Sequence, residues 1–199
     1  MDVDFAGAKQ YAFNRLDNEL AAHLIYHNLG HTKESVLPAA IEFAVFSGVN
    51  DKNSLLLQTA AVYHDLGFIE RSTGHEEVSV RIAGETLPQF GYNPFQIQVI
   101  ADIIMATKLP QTPKNILGQL LADADLEVLG RSAFFEAATC LRLELEAEGV
   151  HQTDGDWYRS QVDFLENHSY FTTAAKSLRM DKKRENLEKL KDLLYQRQH

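Results

Sequence analysis

The chain has 199 residues, 45% of them hydrophobic and 24% charged, which is enough for one domain with a substantial core or at most two small ones. Against 19 Lys and Arg stand 28 Asp and Glu, so the formal charge is −9 and the sequence pI about 5.3. That balance argues against a nucleic-acid polymer or an anionic membrane as the main partner, yet a metal and a few local cations can still receive a small phosphorylated ligand. The single Cys140, in AATCLRLEL, has no internal disulfide partner and reads as a small buried thiol. With no signal-peptide pattern and no apolar run of transmembrane length, the expectation is a cytoplasmic protein.

The pattern predicts helices nearly throughout. Residues 5–27 place Phe5, Tyr11, Phe13, Leu16, Leu20, Leu24 and Ile25 on an apolar stripe. Residues 33–47 form a second helix closed by Gly48, with Pro38 demanding a late start or a kink. Asp51 or Asn53 caps LLLQTAAVYHDL, which Gly67 ends. A polar turn at Arg71–Gly74 leads into GHEEVSVRIAGETLPQF, and Pro94 starts FQIQVIADIIMAT. Pro110 and Pro113 bracket a loop before NILGQLLADADLEVLG and SAFFEAATCLRLELEAEG, which separate near Gly130. After the polar turn 151–156 come WYRSQVDFLENH and a last helix within roughly 173–197. There Leu187, Leu190, Leu193 and Leu194 share one side, while Lys182, Lys183, Glu185, Lys189 and Lys191 take much of the rest. That amphipathic helix is read as packing onto its own domain, with a homodimer contact as the alternative. No strand-like alternation, repeat or linker is evident. The expected architecture is all-α: a single compact helical bundle over 1–199 with an amphipathic C-terminal helix.

Four residues stand out within core-like text: His31 in YHNLGHT, His64 and Asp65 in AAVYHDLGF, and Asp125 in LADADLEVLG. Buried charge must be paired or bound to a metal. Two imidazoles and two carboxylates suit a divalent cation with room left for water. Neighbouring helical side chains diverge by about 100°, so His64 and Asp65 reach one point only when it lies between their directions. His23, His27 and His31 offer a competing set at i, i+4 and i+8, but Asn28-Leu29-Gly30 reads as a break that starts a new segment at His31. His27 then becomes a pocket group.

In order and context these residues resemble the H…HD…D signature of the HD-domain superfamily of metal-dependent phosphohydrolases. GHEEVS (74–79) and IMATK (104–108) are similar to intervening stretches of its branch of predicted HD phosphohydrolases. The resemblance covers roughly 20–195, with the core motifs at about 20–130 and further helices at 131–199. It implies that His31, His64, Asp65 and Asp125 ligate one divalent metal (Mn, Co, Ni, Zn, Fe or Mg). Within DAD the resemblance favours Asp125, which matches the position followed by a hydrophobic or bulky residue in related members, and leaves Asp123 to support the site or cap a helix. His75 matches the first extra histidine of dinuclear members, but Ala106-Thr107-Lys108 stands where those carry a His pair. Phe68-Ile69 occupies the place of the acidic pair found in some nucleotide pyrophosphate hydrolases. A mononuclear hydrolase follows.

Its expected chemistry is attack by water on a phosphate ester of a small molecule, nucleotides being one such class. Glu76 is the expected base, with Glu77 behind it, and His75 either donates to the leaving oxygen or touches the metal. Lys108, His27, Arg131 and Lys33 are the candidate substrate-binding groups. Tyr26, Tyr63, Phe68 and Trp157 are candidates for an aromatic wall or for plain core. A non-catalytic metal- or nucleotide-binding regulatory module is the alternative, and a di-iron oxygenase on the same scaffold a more distant one.

Overall fold

The fold is described from a computed structural model for residues 3–196. Helix α1 spans Phe5–Glu19, with the Asp4 carboxylate accepting from the Gly7 N–H at its start. It ends earlier than its apolar stripe predicts. Residues 20–28 instead form a loop, because the Tyr26 and His27 N–H groups are drawn onto the Glu144 carboxylate at 2.9 and 3.1 Å. A distant charge-assisted contact overrides local helical preference there.

The next helix starts at residues 29–30, passes through a π-helical turn, His31–Val36, and continues as α2, Leu37–Phe46. Proline lacks an N–H and its ring crowds the carbonyl four residues back, so an ordinary turn does not suit Pro38. The widened turn, in which the Leu37 N–H donates to the Thr32 carbonyl five residues back, accommodates it. Helix α3 covers Asp51–Tyr63, and its cap is Asn50 rather than Asp51 or Asn53: the Asn50 side chain accepts from the Asn53 N–H at 3.0 Å.

Helix α4 is His75–Thr86, α5 is Pro94–Ile104 and α6 is Ile116–Asp125. Asn93 and Gln96 form a reciprocal capping box at the start of α5, and Asn115 caps α6. Helix α7 spans Phe134–Ala147; α8, Asp154–Asn167, starts inside the expected turn, with Thr153 as its cap. Helix α9 runs Thr173–Gln196, and the expected residue 197 lies outside the described residues. The architecture is all-α, with no strand among the described residues.

Two apolar clusters organise these helices. The larger gathers α1 to α6 and the start of α9 around Phe43, Leu57, Tyr63 and Ile104. The smaller joins α7, α8 and the later part of α9 through Phe134, Trp157, Leu165 and Leu190. Helix α9 therefore spans both. Its inner face is less apolar than the leucine pattern predicts. Asn186 donates to the Leu129 and Arg131 carbonyls at 2.9 Å, and Lys183 is buried with its ammonium on the His168 carbonyl. Cys140 is half-buried rather than buried. No helix is long and apolar enough to cross a membrane.

Two glycines mark crossings too close for a side chain. A Cβ on Gly130 would lie 2.4 Å from the Arg179 carbonyl oxygen, and one on Gly67 would lie 1.9 Å from the His75 carbonyl oxygen. The second crossing locks the start of α4 against the turn that follows His64-Asp65. Gly67→Ala is expected to cost about 1–3 kcal/mol through overpacking against backbone. In thermal unfolding that is a fall of roughly 2–4 °C per kcal/mol. Gly84→Ala, whose Cβ meets nothing within 4 Å, should leave the midpoint unchanged or raise it.

Candidate metal and catalytic site

His31 enters at a helix start, where the Asn28 side-chain oxygen accepts from its backbone N–H at 3.2 Å. His64 closes α3, and its ring Nδ1 lies 2.8 Å from the Ala61 carbonyl, an acceptor only. Nδ1 must therefore carry the proton, which leaves the Nε2 lone pair facing the site. The Ser79 hydroxyl donates to the His64 carbonyl at 2.6 Å and accepts from the Gly67 N–H at 2.8 Å, holding the turn in which Asp65 sits. Asp125 ends α6.

These four side chains converge. Asp65 Oδ2 lies 3.2 Å from His64 Nε2 and 3.6 Å from His31 Nε2. Asp125 Oδ1 lies 3.2 Å from His31 Nε2 and 3.4 Å from His64 Nε2. Donor atoms of His31, His64 and Asp65 fall within 4.8 Å of one another, a grouping able to hold a metal ion, with Asp125 beside it. His64 Nε2 and Asp65 Oδ2 are buried and have no hydrogen-bond partner. Two facing acceptors in a desolvated place are costly unless positive charge lies between them. An imidazole–carboxylate donor set fits a divalent cation.

The electrostatics agree in direction. Burial alone would raise the Asp65 and Asp125 carboxyls, but the adjoining imidazoles overcome it and hold both well below the usual carboxylate range. Burial would lower His64, yet Asp65 and Asp125 hold it well above the ordinary histidine value.

Around this centre lies a cavity of about 590 Å³ lined by Asp65 and Asp125 together with His27, His75, Glu76 and Lys108. His75 Nδ1 donates to the Ser72 carbonyl at 3.0 Å, so its Nε2 faces Asp65 Oδ1 at 3.5 Å. Glu76 is buried, with Oε2 3.8 Å from His75 Nδ1. The Phe68 ring stacks on the His27 and His75 imidazoles, with centroids 4.2 and 4.0 Å away. Lys108 stands exposed at the edge of the cavity with its ammonium on the Glu77 carboxylate. Of the other aromatic candidates, Tyr26 and Trp157 line the cavity, whereas Tyr63 is core.

Three expected site residues lie elsewhere. Arg131 does not line the cavity; it pairs with Glu127 at 2.5 Å, the buried carboxylate that also takes Arg179 at 2.6 Å and the Ser35 hydroxyl at 3.0 Å. Lys33 points outward from the π-helical turn into solvent. Asp123 faces away from the imidazoles. It accepts from the Phe171 and Thr172 N–H groups at 2.8 Å and from the Thr172 hydroxyl at 2.7 Å, and so anchors the start of α9.

Glu144 escaped sequence reasoning. It is buried, and besides the two backbone N–H groups it receives the His27 ring nitrogen. Its only signal is a carboxylate set among the leucines of LRLELEAEG, and that text equally fits a solvated helix face.

No protein-family model matches the chain, and no curated protein matches it. Among solved structures, the chain is similar to a crystal structure described as a predicted HD superfamily hydrolase, from an uncultured Thermotogales bacterium. The two share 18% identity over 96% of this chain and 90% of the other, with a TM-score of 0.60. At that identity the likeness is one of fold.

The His27–Glu144 pair makes a pH-dependent contribution. Burial opposes the imidazolium, but Glu144 raises the His27 pKa above 6.5; burial opposes the carboxylate too, but His27 lowers Glu144 below 4.5. The raised imidazole contributes stability that is fully present below 6.5 and lost as pH climbs through its folded value. The depressed carboxyl contributes above 4.5 and loses it as pH falls. In chelator, the stability gap between wild type and His27→Gln is expected to be widest between pH 4.5 and 6.5 and to shrink on either side, as read by urea unfolding.

Proposed function

We propose that this chain is a metal-dependent phosphohydrolase of the HD superfamily, using His31, His64, Asp65 and Asp125 to hold one divalent cation and cleaving a phosphate ester of a small molecule. The reading is carried by the orphaned pair His64 Nε2 and Asp65 Oδ2, 3.2 Å apart, with the His64 tautomer set by the Ala61 carbonyl. The fold shared with a predicted HD superfamily hydrolase supports it.

A divalent cation bound there supplies Lewis acidity, lowering the pKa of a water and offsetting charge that builds on the phosphoryl group. The remaining work falls to the chain. Glu76, buried at the cavity wall, accepts the proton of the attacking water. His75, oriented by the Ser72 carbonyl and stacked on Phe68, presents Nε2 to the ester and donates to the leaving oxygen. Its proton-carrying Nδ1 is already engaged, so this donation requires the imidazolium form. Lys108 meets the outer oxygens of the substrate once it exchanges its Glu77 partner.

With Mn²⁺ supplied, the chain is expected to release phosphate from a panel of phosphomonoesters. His64→Ala and Asp65→Ala should each lower kcat/KM by at least about 10²-fold and reduce the metal retained through gel filtration. Glu76→Gln should lower kcat by about 10²-fold or more while retaining the metal. Release that survives His64→Ala and Asp65→Ala unchanged would remove this mechanism.

A further inference from the structure

We infer that the substrate of this centre is a phosphomonoester carrying an apolar aliphatic or aryl group, because the cavity that reaches Asp65 and Asp125 continues into an aliphatic and aromatic wall. For the head group the inference rests on the hydrolytic reading above; for the apolar half it rests on the shape and chemistry of the cavity.

At one end the lining is Asp65, Asp125, His75, Glu76 and His27. At the other it is Leu129, Phe134, Leu141, Leu145, Trp157 and Phe164, supplied by the turn after α6 and by α7 and α8. The smaller apolar cluster of the fold thus forms a wall of the cavity as well as a core. Polar groups are sparse on that side: Gln152, Ser160 and Gln161. Ser160 spends its hydroxyl on the Trp157 carbonyl at 2.8 Å. A ribose and base placed against the leucines would leave several donors and acceptors unpaired, each at a desolvation cost. A hydrocarbon loses nothing there and gains with every methylene buried.

Charge points the same way. Among the described residues, Lys108 is the only lysine or arginine lining the cavity, and its ammonium rests on Glu77. Asp65, Glu76 and Asp125 contribute three carboxylates at the same end. One dication does not neutralise all three, and once Lys108 has turned from Glu77 to the first phosphate, no lysine or arginine of the lining, among the described residues, is left for a second or third. A single phosphate is what this end can hold. A volume of about 590 Å³ is ample for a drug-sized organic group beyond it.

The test uses n-alkylphosphonates of two, four, six and eight carbons, which cannot be hydrolysed, titrated into the full chain with Mn²⁺ below their micellar concentrations. Trp157 is the only tryptophan and lines the cavity, so its emission reports occupancy alongside calorimetry. The dissociation constant should fall about fourfold per added methylene until the cavity is full. AMP and ATP should bind more weakly than octylphosphonate. Ala137→Phe, at a half-buried position on the same wall, should shorten the chain length at which the gain stops while the unfolding midpoint stays within a few degrees. Chelation should weaken every member through the head group but preserve the gain per methylene. Affinity independent of chain length, AMP binding as tightly as octylphosphonate, or a gain untouched by Ala137→Phe would each overturn the inference. A preserved gain with no phosphate released from octyl phosphate would sustain it and remove only the hydrolytic reading.

Discussion

Nε2 of His64 and Oδ2 of Asp65 lie 3.2 Å apart, both buried and neither with a hydrogen-bond partner. Because His64 Nδ1 is committed to the Ala61 carbonyl, the ring cannot relieve the contact by exchanging tautomers. Only added positive charge can, as a proton or as a cation. His31 and Asp125 close around the same point, so whatever supplies that charge finds further donors already in place. The arrangement is costly for a protein that makes no use of it, and that cost is the physical reason to read it as a reaction centre.

Much of the remaining structure keeps this contact from relaxing. Gly67 lets the start of α4 pass at backbone distance, and Ser79 ties the His64 carbonyl to the Gly67 N–H from the same helix. Glu144 gathers the loop before His31 and sets the His27 ring beside Phe68. On the far side, Glu127 joins Arg131, Arg179 and Ser35, fastening the turn after Asp125 to α9 and to the π-helical turn. These buried carboxylates stabilise only because each has its partners; stripped of one, each would be a liability. The same helices that brace the site, α7 and α8, also furnish the apolar wall of the cavity, so the frame and the cavity draw on one cluster of side chains.

Helix caps and stops were readable where they depend on a few adjacent residues. Pro94 begins α5 behind an Asn93–Gln96 capping box, and the chain breaks at Asn28, although Leu29 and Gly30 are already helical ahead of His31. The stripe over residues 5–27 misled, since nothing within it records that Glu144 will claim the Tyr26 and His27 N–H groups. Lys183 looked like part of a solvated face, yet the His168 carbonyl and the Tyr170 ring receive it. Arg131 and Asp123 carry charge within six residues of Asp125, and their proximity in sequence suggested a share in its chemistry. Arg131 pairs with Glu127 instead, while Asp123 takes the capping role that its sequence also allows, at the start of α9.

By itself the sequence determined the all-helical architecture and singled out four side chains that the fold brings near one another, because periodicity, caps and motif order are written in short stretches of chain. Only the tertiary structure decided which neighbours serve that centre and which serve the frame. A carboxylate at a helix end or a long cation takes its role from whatever packs opposite, and for Tyr26 and Glu144 that neighbour lies 118 residues away. The apolar half of the cavity was equally hidden, since leucines on α7 and aromatic residues on α8 read as core until their open side is seen in space.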